Sequence, residues 1–422
     1  MKLKFIYALA IAGALSTFTS CSDDDPAPGS SLEQKTYSSD DLTLNFNGAP
    51  LIGKTVTFTP GNDGKGTVTL AGESLDPSQI LDMITRAAAD DQPTRTIPTA
   101  GVLPGSASVS IPVELKGDAN NCTFEGTNET EYCTYSYSGS VTADNFEFNL
   151  SDVKLKNTSL AGTWTFPESK GSVYNVARIE WDSDSLVHTQ FSLMPGVVPP
   201  TNIDASLEWF IRLALVMPMI KLNEDEDTAK SPLDVLTTVL KSVTLGEDGN
   251  VTAEYLDTKT GEIVTAPTGI AQYVVSSNNT LRLFLNPAAI IANSVSNTKT
   301  NTRAADFSIL VEGLMTELMP MLTDGIPVNY GAAIPDPDAW DESEITNGDA
   351  TAFYLGTETL LPIFKALLPL FSDEEFIKSL VEEASKDPSM GMFSSSLEGI
   401  LKSLPEVIKN TTKVEIGINL KK

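Results

Sequence analysis

The sequence predicts a mainly β protein with helical insertions. A β-sandwich or barrel is expected over residues 37–159, and a second β module carrying the helices over residues 160–422. Three patterns support this. Between residues 37 and 160, apolar and polar residues alternate in short runs broken by turn residues, the period of half-buried strands. From about residue 203, apolar residues also recur at helical spacing, between runs that still alternate. Thr412 to Leu420 alternates once more and returns a strand to the second sheet, which suggests barrel closure. A chain of 422 residues is long enough for two or three domains.

The opening residues stand apart. Lys2 and Lys4 precede an apolar run from Phe5 to Leu15, and mostly small residues lead to Cys21. A basic start, a short apolar stretch and a small-residue end describe a signal peptide over residues 1–20. The run falls short of the roughly 20 apolar residues that span a bilayer. Phe18-Thr19-Ser20-Cys21 resembles a lipobox, the processing site of bacterial lipoproteins, with Phe18 where Leu is commoner. The resemblance implies cleavage before Cys21 and lipidation of Cys21, hence a membrane partner through the lipid; an ordinary cleaved signal peptide is the other reading. Ser22-Asp23-Asp24-Asp25 resembles the surface-export signal of Bacteroidota lipoproteins, which implies outer-membrane, cell-surface display. Read on its own, the same acidic run is a solvated tether. Residues 21–36 are rich in Ser, Pro, Asp and Gly and read as a linker between lipid and first domain.

Strands are predicted at Leu42–Phe46, Thr55–Thr59 and Thr67–Leu70, the last two joined by Pro60-Gly61-Asn62-Asp63-Gly64, a hairpin signature. Asp76-Pro77 caps one short helix over residues 77–88, and 89–101 read as a loop. More strands follow at 107–115, 122–124, 134–141 and 145–153. In the second module, strands are expected at 173–181 and 185–193, helices at 203–221 and from Pro232 to about Ser242. Strands return at 243–245, 251–256, 271–275 and 281–285. Glu208 and Arg212 lie four apart, on one face of their helix. The last third reads as a Leu- and Met-rich helix at 305–322, strands near 326–332 and 350–355, helices at 357–370, 373–386 and 393–408, and the closing strand.

The formal net charge is −28, and removing residues 1–20 takes away two lysines and no acids, leaving −30. Such a surface repels nucleic acid and anionic headgroups. Apart from Cys21, the chain has Cys122 and Cys133, an even pair in an oxidising compartment, for which a disulfide is the default. They flank the turn-like Gly126-Thr127-Asn128-Glu129, so the bond would clip a hairpin, worth about 2–3 kcal/mol.

Leu160-Ala161-Gly162-Thr163-Trp164-Thr165-Phe166 resembles the Gly-x-Trp opening of lipocalin-like β-barrels, whose Trp packs the barrel floor. Val243 to Tyr255, and Gln272–Val275 with Asn279–Phe284, look like their later hairpins. Residues 107–153 resemble the calycin-like domain of uncharacterised Bacteroidota lipoproteins, notably in Ser138-Gly139-Ser140-Val141-Thr142-Ala143-Asp144. The resemblance implies a calycin-like domain at 37–159 and a lipocalin-like barrel at 160–422, with the long helical insertions as a departure.

His188 is the only histidine, which leaves nucleophile systems and His-based zinc sites only this one residue; it reads as structural or at the surface. No phosphate-binding loop and no nucleophile elbow is present, so no cofactor or catalytic set is expected. Carboxylate pairs are too many for spacing to single one out, and a carboxylate-based hydrolase stays open. Asp336 to Glu344 packs acids around Trp340 and reads either as a calcium loop or sugar platform, or as a solvated loop; Glu224-Asp225-Glu226-Asp227 reads the same way. Asp184-Ser185-Leu186 and Asp227-Thr228-Ala229 resemble O-glycosylation sites of Bacteroidota exported proteins. The helices at 305–322 and 357–370 read as core or as the lining of an apolar cavity. The function expected is that of a non-catalytic cell-envelope lipoprotein binding an apolar small molecule or a glycan. The alternative is a structural module of an outer-membrane assembly, with a protein partner and no small ligand.

Overall fold

The computed structural model describes residues 27–75, 97–191, 200–222, 228–258, 260–294, 317–337, 339, 344–386 and 391–422. The fold is mainly β, 44% strand against 25% helix, as the alternation predicts. The expected helix at 77–88 lies outside the described residues, as do residues 1–26 with Cys21.

The first module has eight main strands. These are β1 (Lys35–Ser38), β2 (Leu42–Phe46), β3 (Lys54–Pro60), β4 (Lys65–Gly72), β5 (Ser108–Glu114), β6 (Cys122–Glu129), β7 (Cys133–Val141) and β8 (Phe146–Leu155). They form a four-stranded sheet ordered β1-β3-β4-β5 and a six-stranded one in which β2, β8, β7 and β6 lie side by side, with the short strands Ala49–Pro50 and Lys116–Gly117 at its edges. Between β3 and β4, Asp63 (φ 56°) and Gly64 (φ 68°) both take the left-handed conformation that tight hairpin turns require. Alternation aims Val56, Phe58, Val68, Leu70 and Ile111 of one sheet at Phe46, Phe124, Phe146 and Phe148 of the other, all of them buried. Phe146 is the hub. Its ring centroid lies 5.1 Å from Tyr37, 5.8 Å from Phe124, and 6.3 Å from both Phe58 and Phe148.

The expected disulfide is not formed. Cys122 and Cys133 are free, buried thiols. Residues 126–129, read as a turn, continue strand β6, and the turn falls at 130–132. Cys122 pairs in register with Val141, at one end of the hairpin, while Cys133 begins β7 at the other end. Eight residue steps along β7, from Cys133 to the partner of Cys122, put them roughly 25 Å apart, whereas a disulfide needs Cα atoms within about 7 Å. The Cys122 thiol donates to Asp118 O (3.0 Å), and Cys133 Sγ lies 3.3 Å from Thr130 Oγ1. Burial raises both thiol pKa values, which keeps them unreactive. Thiol titration of the unfolded, unreduced chain should therefore find both groups, and a reductant should leave the unfolding midpoint unchanged. Intact masses showing two fewer hydrogens on these residues would contradict the pairing geometry.

The second module is a strongly curled antiparallel half-barrel of nine strands. Its strands are β9 (Gly162–Trp164), β10 (Ala177–Ser183), β13 (Leu240–Leu245), β14 (Asn250–Leu256), β15 (Ala271–Ser277), β16 (Thr280–Leu285), β17 (Ile326–Ala332), β18 (Thr351–Leu355) and β19 (Thr411–Leu420). A separate hairpin is made by β11 (Val187–Phe191) and β12 (Thr201–Ala205). The sheet order is β9-β13-β14-β15-β16-β17-β18-β19-β10. The curl brings its start to β19 at one point, where Thr165 and Lys421 exchange two hydrogen bonds of 2.8 and 2.7 Å.

Among the described residues, eight helices are placed between these strands: α1 (Val173–Val176), α2 (Leu207–Val216), α3 (Pro232–Val239), α4 (Pro287–Ser294), α5 (Thr357–Ala366), α6 (Leu368–Phe371), α7 (Glu374–Lys386) and α8 (Gly391–Lys409). Residues 317–324 are also helical. Some expected boundaries move. The helix read at 203–221 begins at Leu207, because Ile203 and Ala205 alternate with Asn202 and Asp204 in β12 and Ser206 caps the helix by accepting from Trp209 N. The strand read at 173–181 opens with the helical turn α1.

The two modules share one hydrophobic core, from Leu32 to Leu420. The seam is also hydrogen-bonded. Gln272 Nε2 donates to Val102 O (3.3 Å), Asn286 Nδ2 to Ile52 O (3.0 Å), and Leu155 N to Glu247 O (2.8 Å). Lys54 is buried in this seam. Its parity in β3 is that of Val56 and Phe58, so the strand aims it inward, where its ammonium donates to Ala100 O at 2.9 Å.

Candidate functional site

The inner face of the half-barrel is apolar, because the register stacks apolar residues of successive strands across it. Trp164 stands opposite Val243, Leu245 opposite Val251, Tyr273 opposite Leu283, Tyr330 opposite Phe353, and Phe353 opposite Ile418. At the floor, Trp164, Leu245, Tyr273, Leu281 and Leu420 are buried. Trp164 donates its indole N–H to Leu160 O (3.0 Å), meets Phe353 edge-on at 5.1 Å, and has Lys422 Nζ 5.7 Å from its ring. Above the floor, Val243, Val251, Leu283, Val328, Tyr330 and Phe353 are only half-buried.

Helices cover the other side of that face. Trp181, Val414 and Ile416 pack against Phe210 of α2, Leu360 and Phe364 of α5, and Val407 and Ile408 of α8. Trp181 lies 4.9 Å from Phe364 and donates its N–H to Thr411 Oγ1 (2.8 Å). Thr357 fastens α5 to β19, since its Oγ1 accepts from Val414 N (2.9 Å) and donates to Val414 O (3.2 Å).

Helix α5 has a second apolar side. A cleft of about 610 Å³ lies between α5 and Glu317, lined by Leu361, Pro362 and Ala366, with Glu317, Glu358 and Lys365 among its polar residues. Pro362 sits inside the helix and lacks the N–H that would bond Glu358 O. The structure thus brings together the described part of the first Leu- and Met-rich helix and the whole of α5. Part of that apolar surface is core and part lines a cleft.

The other residues singled out from the sequence do not assemble. His188 projects from β11 with its Nδ1 2.7 Å from Asp204 Oδ1, and both side chains are well exposed. Ser403 is near, but its Oγ accepts from the backbone N–H of His188 (3.0 Å) and not from the ring, so no nucleophile meets this base. Asp336 accepts from Ser172 Oγ, whereas Asp338, Trp340 and residues 341–343, like Glu224 to Asp227, lie outside the described residues. Asp184-Ser185-Leu186 lies in a turn, with Leu186 exposed and Ser185 Oγ accepting from Asn410 Nδ2 (2.8 Å). Among the described residues, no group of three or more His, Cys, Asp or Glu is placed to hold a metal ion, and no helix is long and apolar enough to cross a membrane.

The structure does single out one carboxylate pair. Glu180 of β10 and Glu415 of β19 face each other in register on the outer side of the sheet. Arg178 Nη2 lies 2.8 Å from Glu180 and also bonds Glu415, while Lys413 Nζ lies 2.7 Å from Glu180. Burial and the hydrogen bond it donates to Glu180 push the Glu415 pKa up. Burial acts the same way on Glu180, but Glu415, Lys413 and Arg178 outweigh it and hold Glu180 below the usual range. The two carboxyls share the Arg178 guanidinium, an arrangement of ion-paired neighbours in a sheet. Alternation in Arg178-Ile179-Glu180-Trp181 and Lys413-Val414-Glu415-Ile416 was the signal for this cluster, but spacing within one strand does not name the partner strand.

Comparison of the chain with protein-family models, with curated proteins and with solved structures returns no match.

Proposed function

We propose that the protein is a lipid-anchored cell-envelope binding protein, held through Cys21 at the outer membrane and displayed on the cell surface, that takes an apolar small molecule without chemistry. The observation that supports this is the apolar cleft on α5, continuous through that helix with the packed side of the half-barrel's inner face. Ligand sites combine an apolar wall with polar groups that fix orientation, and here Leu361, Pro362 and Ala366 supply the wall and Glu317, Thr357, Glu358 and Lys365 the polar groups. A lipocalin-like reading of the second module is supported by Gly162-x-Trp164 at its floor and by the Thr165–Lys421 bridge that draws the first strand to β19.

Native mass spectrometry of the protein purified from its own host should show a co-purified apolar small molecule. Ala366→Asp should abolish that adduct and leave the fold intact, because Ala366 lines the cleft, whereas Leu360 and Leu361 pack against the sheet. A clean apo mass with no thermal shift across a lipid library would count against the reading.

A further inference from the structure

We propose that a second cleft, beside α2, is a binding site for a neutral saccharide, with the Trp209 indole as its stacking platform and Arg212, Ser172 and Asp336 as its hydrogen-bonding edge. The cleft holds about 270 Å³ and lies between α2, the turn that precedes α1 and the loop that follows β17. It is distinct from the apolar cleft on α5, and the proposal stands whether or not that cleft takes a ligand.

Three observations converge. First, Trp209 is 42% exposed, while its neighbours Leu207 and Phe210 are buried. An indole normally contributes its large area to a core or an interface. Here the ring is held from behind, edge-on to Phe210 at 4.9 Å, and forms a wall of the cleft.

Second, the polar groups are fixed in advance. The Arg212 guanidinium lies 4.2 Å over the Tyr174 ring, and its Nη1 donates to the Tyr174 hydroxyl at 2.8 Å. Tyr174 is itself anchored, since its carbonyl accepts from both Asn347 and Asn419 at 2.7 Å. Ser172 Oγ donates to Asp336. The turn carrying Ser172 is pinned by the fully buried Asn175, whose Nδ2 donates to Ser169 O (3.0 Å) and Glu344 O (2.8 Å) and whose Oδ1 accepts from Thr346 N (3.1 Å). Side chains locked by their own partners are what a precise binding constellation needs.

Third, the cleft is open beside Gly171, where a Cβ would meet nothing within 4 Å.

A flat aromatic wall beside a rim that offers both donors and acceptors fits a ring with one C–H face and a border of hydroxyls, as in a pyranose. A purely apolar ligand would waste the rim. A polyanion would meet Asp336 and a chain of net charge −28.

The full chain is titrated calorimetrically and by tryptophan fluorescence with cellohexaose, laminarihexaose, mannohexaose, xylohexaose and maltohexaose. At least one should bind with a Kd below ~1 mM. Trp209→Ala should weaken that binding about tenfold or more and Trp209→Phe by no more than about threefold, at an unchanged thermal midpoint; Asp336→Asn should also weaken it. The proposal is overturned by no binding across the five sugars or by binding that survives Trp209→Ala. A Trp209→Ala variant that keeps its sugar affinity but loses a protein partner also overturns it, and assigns α2 to protein docking.

Discussion

Phe146→Ala should destabilise the protein by about 3–5 kcal/mol, the range for emptying a large aromatic from a packed core. The cavity would open among Tyr37, Phe58, Phe124 and Phe148. The expected readout lies in the other module. All four tryptophans occur at or after residue 164, so tryptophan fluorescence reports only the second module. Because one core runs from Leu32 to Leu420, that signal should shift its urea midpoint together with the far-ultraviolet signal. A fluorescence midpoint that stays put while the first module melts would mean that the seam does not couple the modules.

Lys54→Met should stabilise the protein by roughly 2–3 kcal/mol at neutral pH. Burial alone pushes the Lys54 ammonium down to about 8 from 10.5. Below about pH 8 both folded and unfolded chains carry the charge, and the folded state bears the full desolvation cost. Between pH 8 and 10.5 the folded chain has released its proton while the unfolded chain still holds it, so stability rises with pH through that window. The gain from Lys54→Met should therefore shrink as pH climbs from 7 to 10. Several buried tyrosines titrate above this range, so the informative quantity is the difference between wild type and variant. A variant less stable than wild type at pH 7, or a difference flat with pH, would show that the Ala100 carbonyl compensates the ammonium more fully than one hydrogen bond normally does.

Much of the fold was legible. Period-two alternation located β2, β3, β4, β7, β8, β17, β18 and β19, and helical spacing located α5, α7 and α8, because one buried face fixes the pattern of each. The mistakes have local causes. Gly126-Thr127-Asn128-Glu129 has turn composition, yet β7 supplies partners that hold it in a strand, and the cysteines are driven to opposite ends of the hairpin. Ile203 fits a helical stripe and a strand equally well, and Ser206 decides between them. The seam was illegible for a different reason, since nothing local in Gln272 or Asn286 says that their amides satisfy carbonyls of the first module. Lys54 could have been found, because its parity with Val56 and Phe58 puts a lysine on a core face. The cleft beside α2 depends on Trp209, Arg212, Ser172 and Asp336 meeting across some 160 residues of chain, which composition does not encode.

Strand β19 is hydrogen-bonded to β18 on one side and to β10 on the other, and β10 is written some 230 residues before it. Residues 177–183 therefore have no lasting partner on that edge until residues 411–418 have been made. A chain emerging from a ribosome or an export channel passes most of its length with that edge unpaired, as a template for the wrong strand. Assembly of this sheet is thus timed by the arrival of its last segment. The interval before that arrival is when the chain most needs a holding chaperone.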